Sequence, residues 1–330
     1  MAHLQTRRNW LAMAAPMAAI LRGQDQQRVP APGKRPLEFA RLQLDSASVT
    51  ELAAAFRDLR FAGSIPPLLV DAIRRRNSIG SGQLLTKLLP IAQELAYPPI
   101  TNFRVGCAML GQSGAIYLGG NIEVPGQSAA LCVHAEQCAA SLLYNGLERA
   151  IRAMAVTAAP CGHCRQFLYE LMGKTPFDVY LSPSKPVNFQ SLLPLAYGPE
   201  ELGVNRPALP AEKRTSAKRE DWSGFEQAAF DSFQRSYAPY TKALSGVSLA
   251  IGDSDEQIFT GPYIENCAFN PSLPPAQAAI ASVTASGFDP SSVVRATLVE
   301  FAKAKISQVQ NTRAVLEGLC PRALLTVKQV

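Results

Sequence analysis

Only three histidines occur in 330 residues, and one of them, His134, stands in the apolar run LCVHAEQCAA (131–140), with Glu136 two positions on. Further along, PCGHCRQF (160–167) carries Cys161 and Cys164 as a C-x-x-C pair. An imidazole and two thiolates suit zinc, which takes such ligands at about 2.0–2.3 Å in a tetrahedral array. Two cysteines three apart on a helix's first turn point the same way, and the positive end of the helix favours their thiolate forms. Three protein ligands leave one corner open for water, the mark of a catalytic site. Two thiolates and a neutral imidazole cancel the metal's charge. Water at such a site still loses its proton far more easily than bulk water, typically near a pKa of roughly 7. Glu136 is then placed to accept that proton rather than to ligate. The chemistry implied is hydrolysis.

These residues need helices and strands to bring them together. The pattern predicts a helix from near Cys132 to about Tyr144 and another over CRQFLYELM (164–172). FRVGCAML (103–110) and AIYLGG (115–120) flank the turn GQSG, as a β-hairpin does. IRAMAVTA (151–158) and FDVYLS (177–182) read as further strands, so the order implies an α/β sandwich. Upstream, VTELAAAFRDL (49–59), capped by Ser48 or Thr50, and PPLLVDAIRRR (66–76) read as helices. QLLTKLLPIAQELA (83–96) is a third, which Pro90 is expected to kink. Residues 183 to 217 are proline-rich, show little periodicity and read as a linker.

The chain beyond the linker partly repeats the chain before it. YPPITNFRVG from Tyr97 aligns with YAPYTKALSG from Tyr237, GGNIEV from Gly119 with GPYIEN from Gly261, and HAEQCAAS from His134 with PPAQAAIA from Pro274. The offset is near-constant, with one insertion of two residues, and implies two copies of one fold. Pro274 and Ala276 stand where His134 and Glu136 stand, and no C-x-x-C comes after them. The second copy cannot bind zinc in this way.

Apolar residues make up 47% and charged residues 18% of the chain, a globular composition. No apolar run reaches the roughly 18 residues that a membrane-spanning helix needs. The net charge of +6 is scattered. Its densest cluster, Arg74 to Arg76, reads as a solvated helix face, whereas a nucleic-acid footprint needs a stripe of such clusters. Before Asp25 there is no acidic residue, while Arg7, Arg8 and Arg22 bracket WLAMAAPMAAIL. That run reads equally as a mitochondrial-type presequence, a twin-arginine or other export signal, or a plain extension. Otherwise a cytoplasmic location is expected.

With the motifs FRVG, GGNIE, VHAEQ, PCGHCRQF, AYGP and ENCAFNPSLPP, the chain resembles the cytidine deaminases, and most of all their two-domain homodimeric form. A histidine and glutamate followed by P-C-x-x-C is the signature of zinc deaminases of nucleobases. The resemblance implies a three-layer α/β/α sandwich present twice. It divides the chain into an extension (1–40), a helical segment (41–80), a catalytic domain (81–186), a linker (187–217) and a degenerate copy (218–330). It implies one zinc per chain, held by His134, Cys161 and Cys164, whose bound hydroxide attacks position 4 of the ring. Glu136 then carries protons to ring nitrogen 3 and to the departing ammonia. The N–H of Ala135 would donate to the 2-carbonyl, Asn121 and Glu123 would hold the ribose 3′-hydroxyl, and Phe103 would pack on the pyrimidine. Tyr197 falls where a partner subunit lends an aromatic residue, which implies a homodimer with sites near the subunit interface. Groups committed to a sugar hydroxyl reject a bare base, so cytidine and deoxycytidine are the expected substrates, in pyrimidine salvage. Two residues depart from the family pattern: Ala159 replaces a Ser or Thr, and Tyr197 replaces a phenylalanine.

Each residue also has a plainer reading. His134 could be a satisfied core histidine, the cysteines a redox pair, Phe103 core packing, Asn121 a turn cap and Glu123 a surface charge. His163, between the cysteines, should point away from the metal, and Cys107, Cys132, Cys138, Cys267 and Cys320 read as small apolar residues. At the level of function the competitors are a non-catalytic zinc scaffold, with a fourth ligand from Cys132, Cys138 or His163, and an RNA- or DNA-editing deaminase. The latter needs a basic groove with stacking aromatics, which 8% aromatics and dispersed charge do not suggest.

Overall fold

The computed structural model describes residues 34–58, 63–181, 185–211, 219–252 and 257–330. The acid-free run before Asp25 lies outside them. Among the described residues no helix is long and apolar enough to cross a membrane.

Three helices open the first copy: α1 (Ser46–Arg57), α2 (Pro67–Arg76) and α3 (Ser81–Glu94). The N-cap of α1 is Asp45, not Ser48 or Thr50; its carboxylate accepts from the N–H of Ser48 at 3.0 Å. A carboxylate caps better here because it also pairs with the helix's positive end and with Arg76 at 3.8 Å. Arg76 meanwhile reaches Glu51 at 2.7 Å, so this one member of the arginine cluster fastens α2 to α1 at the surface. Pro90 does not interrupt α3.

The first sheet is formed by Ser64–Ile65 (β1), Gly106–Gly111 (β2), Ile116–Gly120 (β3), Ile151–Val156 (β4), Asp178–Leu181 (β5) and Val187–Asn188 (β6), in the order β1-β3-β2-β4-β5-β6. β2 and β3 form the expected antiparallel hairpin, and β4 runs parallel to β5. Helix α4 (Ala135–Asn145) leads into β4, and α5 (Gly162–Met172) joins β4 to β5.

Two motif glycines explain the layering. A Cβ on Gly106 would lie 2.5 Å from the N of Gln93 in α3, and one on Gly119 would lie 2.4 Å from the N of Ala139 in α4. Gly120, paired with Gly106, faces the end of α3 at Ala96. Successive strand residues face opposite ways, so α3 and α4 cover opposite faces of the sheet. Bare glycine lets backbone meet backbone on both. The apolar core on the α3 side gathers Leu52, Ile73, Leu84, Leu88, Ala108 and Leu118.

The second copy repeats this plan with α6 (Gly224–Arg235), β7 (Ser245–Ile251), β8 (Ile258–Pro262), α7 (Pro275–Ala285), β9 (Val293–Glu300), α8 (Val309–Leu319) and β10 (Leu324–Gln329), in the sheet order β10-β9-β7-β8. Gly246 and Gly261 take the places of Gly106 and Gly119, at 2.1 Å from the N of Phe233 and of Ala279. The strand register shifts between Leu110 and Gly111 in one copy and between Ala250 and Ile251 in the other. The paired bridges Tyr97–Ile122–Val133 recur as Tyr237–Ile264–Leu273. One insertion does not account for the offset: the two residues gained between β7 and β8 are lost again before α7.

Helices α4 and α7 pack against each other, and every residue from Ala135 to Tyr144 and from Pro275 to Ala285 is buried. The segment after β5 lies on the first copy rather than spanning open space. Phe189 is fully buried with its ring 4.5 Å from that of Phe177, and the N–H groups of Ala208 and Leu209 donate to Glu170 and Leu171 at the end of α5. Ahead of α1, Arg35 donates to the carbonyls of Leu95 (2.9 Å) and Ala96 (3.0 Å) beyond α3 and of Thr284 (3.3 Å) in α7.

Candidate metal centre

Two helix N-termini converge at the site. His134 is the N-cap of α4 and Cys161 the N-cap of α5, both in extended backbone, with Cys164 in the first turn of α5. The Nδ1 of His134 lies 3.4 Å from the Sγ of Cys161 and 3.3 Å from the Sγ of Cys164. Tetrahedral zinc at ordinary bond lengths sets such nitrogen and sulfur atoms roughly 3.5 Å apart. The donor set therefore fits zinc in type and in spacing. Among the described residues this trio is the only group of three or more possible ligands within mutual reach. Cys164 is buried and Cys161 exposed. The Cys164 thiol donates to Cys161, and this bond chiefly holds Cys161 down to about 4. The same bond, followed by burial, pushes Cys164 up.

Glu136 occupies the first turn of α4 and is 4% exposed. Burial raises its pKa, opposed by its own N–H, by His134 and by a hydrogen bond with Cys164. The carboxyl thus faces the sulfur side of the trio. Ala135 is the first helical residue of α4, fully buried, and its N–H is among the first-turn donors that the helix itself does not use.

His163 turns its Nε2 to Gln137, 3.1 Å from that residue's Nε2, while its ring lies 5.7 Å from the ring of His134. Gln137 also accepts from the N–H of His134 (3.3 Å) and donates to the carbonyl of Pro271 (3.4 Å). It ties both ligand-bearing loops to the second copy. Sequence reasoning passed over this residue, although its retention as Gln277 in the repeat was a visible signal.

The residues expected around a nucleoside fall into two groups. Asn121 accepts from the N–H of Val105 (2.8 Å) and donates to the carbonyl of Phe103 (3.0 Å), fixing the loop that presents Phe103. Phe103 itself is 64% exposed and is not core packing. Tyr197 is 47% exposed, with its carbonyl held at 2.8 Å by Gln166 of α5. Glu123, by contrast, is buried and accepts from the N–H groups of Ile100 (2.7 Å) and Thr101 (2.9 Å). Burial alone would raise its pKa, but the bonds from Thr101 and Ile100 outweigh it and lower the value. Glu265 makes the same contacts with Tyr240 (2.8 Å) and Thr241 (3.2 Å) in the second copy.

Two family models, both described as "Cytidine and deoxycytidylate deaminase zinc-binding region", match residues 81–177 and 189–313. The cytidine deaminase of Vibrio atlanticus is 36% identical over 286 residues, covering 85% of this chain and 95% of its own. The chain belongs to the cytidine deaminase family. A cytidine deaminase from Shewanella halifaxensis is 39% identical over 253 residues, covering 76% of this chain and 84% of that one. Among solved structures, cytidine deaminase from Mycobacterium tuberculosis is 30% identical, covering 36% of this chain and 99% of its own, at a TM-score of 0.32. Family membership makes zinc the metal that His134, Cys161 and Cys164 suit. The second match falls on a copy with Pro274 as the N-cap of its α7 and Gln308 as that of α8, so likeness to a zinc-binding region there does not extend to the ligands.

Proposed function

We propose that this protein hydrolyses cytidine and deoxycytidine to uridine and deoxyuridine with release of ammonia, as a step of pyrimidine salvage. The observation that carries the reading is the trio of His134, Cys161 and Cys164 at two joined helix ends, with the buried Glu136 beside it. Those three residues would hold zinc, which supplies the Lewis acidity that makes water nucleophilic near neutral pH. Glu136 accepts the proton of the attacking water, delivers it to ring nitrogen 3 and protonates the leaving ammonia. Water adds, ammonia departs and the base keeps a carbonyl at position 4.

The N–H of Ala135 donates to the 2-carbonyl oxygen, and the exposed ring of Phe103 takes the pyrimidine face. Asn121 and Glu123 address the ribose 3′-hydroxyl. Asn121 has the stronger support, because the second copy has Tyr263 in its place but keeps a glutamate for Glu123. The catalytic domain centres on 81–186, with the edge strands β1 and β6 of its sheet outside those bounds, and the metal-free copy is 218–330, with one zinc per chain. The exposure of Tyr197 and Phe103 supports a homodimer in which a partner subunit closes the site.

The test is turnover of cytidine, deoxycytidine and a cytosine-containing oligonucleotide, with zinc quantified in the same sample. Nucleoside turnover with a zinc-loaded chain supports the reading. A zinc-loaded chain that acts only on the oligonucleotide, or on nothing, overturns it.

A further inference from the structure

We propose that Glu170 is a positioning residue through which the metal-free copy fixes α5, and with it Cys161 and Cys164, in the geometry that zinc needs. The inference rests on the zinc reading above. Glu170 lies on α5 six residues beyond Cys164 and is completely buried. Its carboxylate accepts from the hydroxyl of Tyr237 (2.8 Å), the hydroxyl of Tyr240 (2.6 Å) and the N–H of Cys267 (2.8 Å). All three donors belong to the second copy. One turn nearer the metal, the carbonyl of Gln166 accepts from Asn266 at 3.0 Å, again from that copy.

A buried carboxylate is tolerated only where donors satisfy it, and an apolar side chain would serve plain packing better. Burial first, and the neighbouring carboxylate next, raise both tyrosine hydroxyls, so they remain donors. The contact is directional. It fixes the rotation and the axial position of α5 about a single point, and the two sulfurs at the other end of the helix follow.

The molecule contains its own control. Helix α8 corresponds to α5, and Glu317 to Glu170, while Tyr97 and Ile100 correspond to Tyr237 and Tyr240. There Ile100 has no hydroxyl, and Glu317 is exposed and meets Gln127 at 3.5 Å. The clamp is built only around the helix that carries the cysteines.

The experiment compares the full-length protein with Tyr240→Phe, Tyr237→Phe, the double variant and, as control, Glu317→Gln. It reads zinc release to a chelator, the visible spectrum after cobalt substitution, and kcat and KM for cytidine. The double variant is expected to keep KM within about twofold, while kcat falls and zinc release quickens about tenfold, since small displacements of reacting groups cost this much or more. Its cobalt–thiolate bands should shift, and Tyr240→Phe alone should show the same changes in part. The control should match the parent in every readout. A double variant with the parent's release rate, spectrum and kcat overturns the clamp. Failure of the parent itself to turn over cytidine sinks the proposed function instead, and the release and cobalt readouts still judge the clamp.

Discussion

The two copies share four strands, their register and irregularity, glycine contacts and the carboxylate that braces the loop before β2 or β7, yet among the described residues only the first brings together a trio that could hold a metal. At the decisive helix start, His134-Ala135-Glu136-Gln137 faces Pro274-Pro275-Ala276-Gln277. Architecture and chemistry separate cleanly between them. The features both copies keep, namely Glu123 and Glu265, Gly119 and Gly261, Gln137 and Gln277, serve the fold, and Glu123 is proposed to meet the ribose as well. Those that only the first keeps are His134, Glu136 and the cysteine pair, together with Asn121, which the second replaces by Tyr263. A proline at an N-cap preserves the helix but offers no ligand, so the second copy keeps the structure without the side chains that could hold a metal.

That contrast can be broken outright by making the first copy resemble the second. Cys164→Ala should lower zinc from about one to under about 0.1 per chain and abolish turnover, because two remaining ligands do not hold the ion. Metal analysis beside a cytidine assay decides it. Glu136→Ala should keep its zinc and lose about 10²–10⁴-fold in kcat, the range of a lost general acid–base. Substantial activity in that variant would mean that the proton path runs elsewhere.

Building toward chemistry in the second copy should achieve nothing. Ala276→Glu should leave the parent at about one zinc per chain with unchanged turnover, since three ligands would still be missing. A second zinc would show that the copy is not degenerate.

The two bracing carboxylates sharpen the comparison further. Glu123→Gln and Glu265→Gln should each cost about 1.5–3 kcal/mol of stability, the worth of hydrogen bonds to a charged group. Denaturant unfolding measures that loss. Only Glu123→Gln should also raise KM, and if it does not, Glu123 is a brace like its counterpart. Tyr197→Phe should do least, altering KM by roughly twofold or less, in line with about 0.5 kcal/mol for exposed substitutions.

Much of the fold and the metal site was legible in the sequence because the signals were local. The turn GQSG announced the hairpin, and the C-x-x-C pair announced the start of α5. The repeat showed that the second copy is a copy. Other features depended on distance along the chain. Glu170 sits in an ordinary amphipathic helix, and its tyrosine partners come 67 and 70 residues later, so no window of sequence contains them together. The cap of α1 was misplaced because Asp45, Ser48 and Thr50 are all capping types and only folding selects among them. Residues 185–211 looked loose because they are held by backbone hydrogen bonds and one buried aromatic, neither of which leaves a periodic trace. The roles proposed for Phe103 and Tyr197 come from the family resemblance alone, since exposed aromatics carry no pattern of their own.

Arg35 sets a boundary on how far the amino end can be shortened. Its guanidinium joins the carbonyl ends of one helix from each half, so the halves are riveted at a point that looks, in the primary structure, like dispensable leader. Trimming that stops short of Lys34 leaves the rivet in place. A cut at residue 40 removes it, and the packing of α4 on α7 would lose that support at its rim.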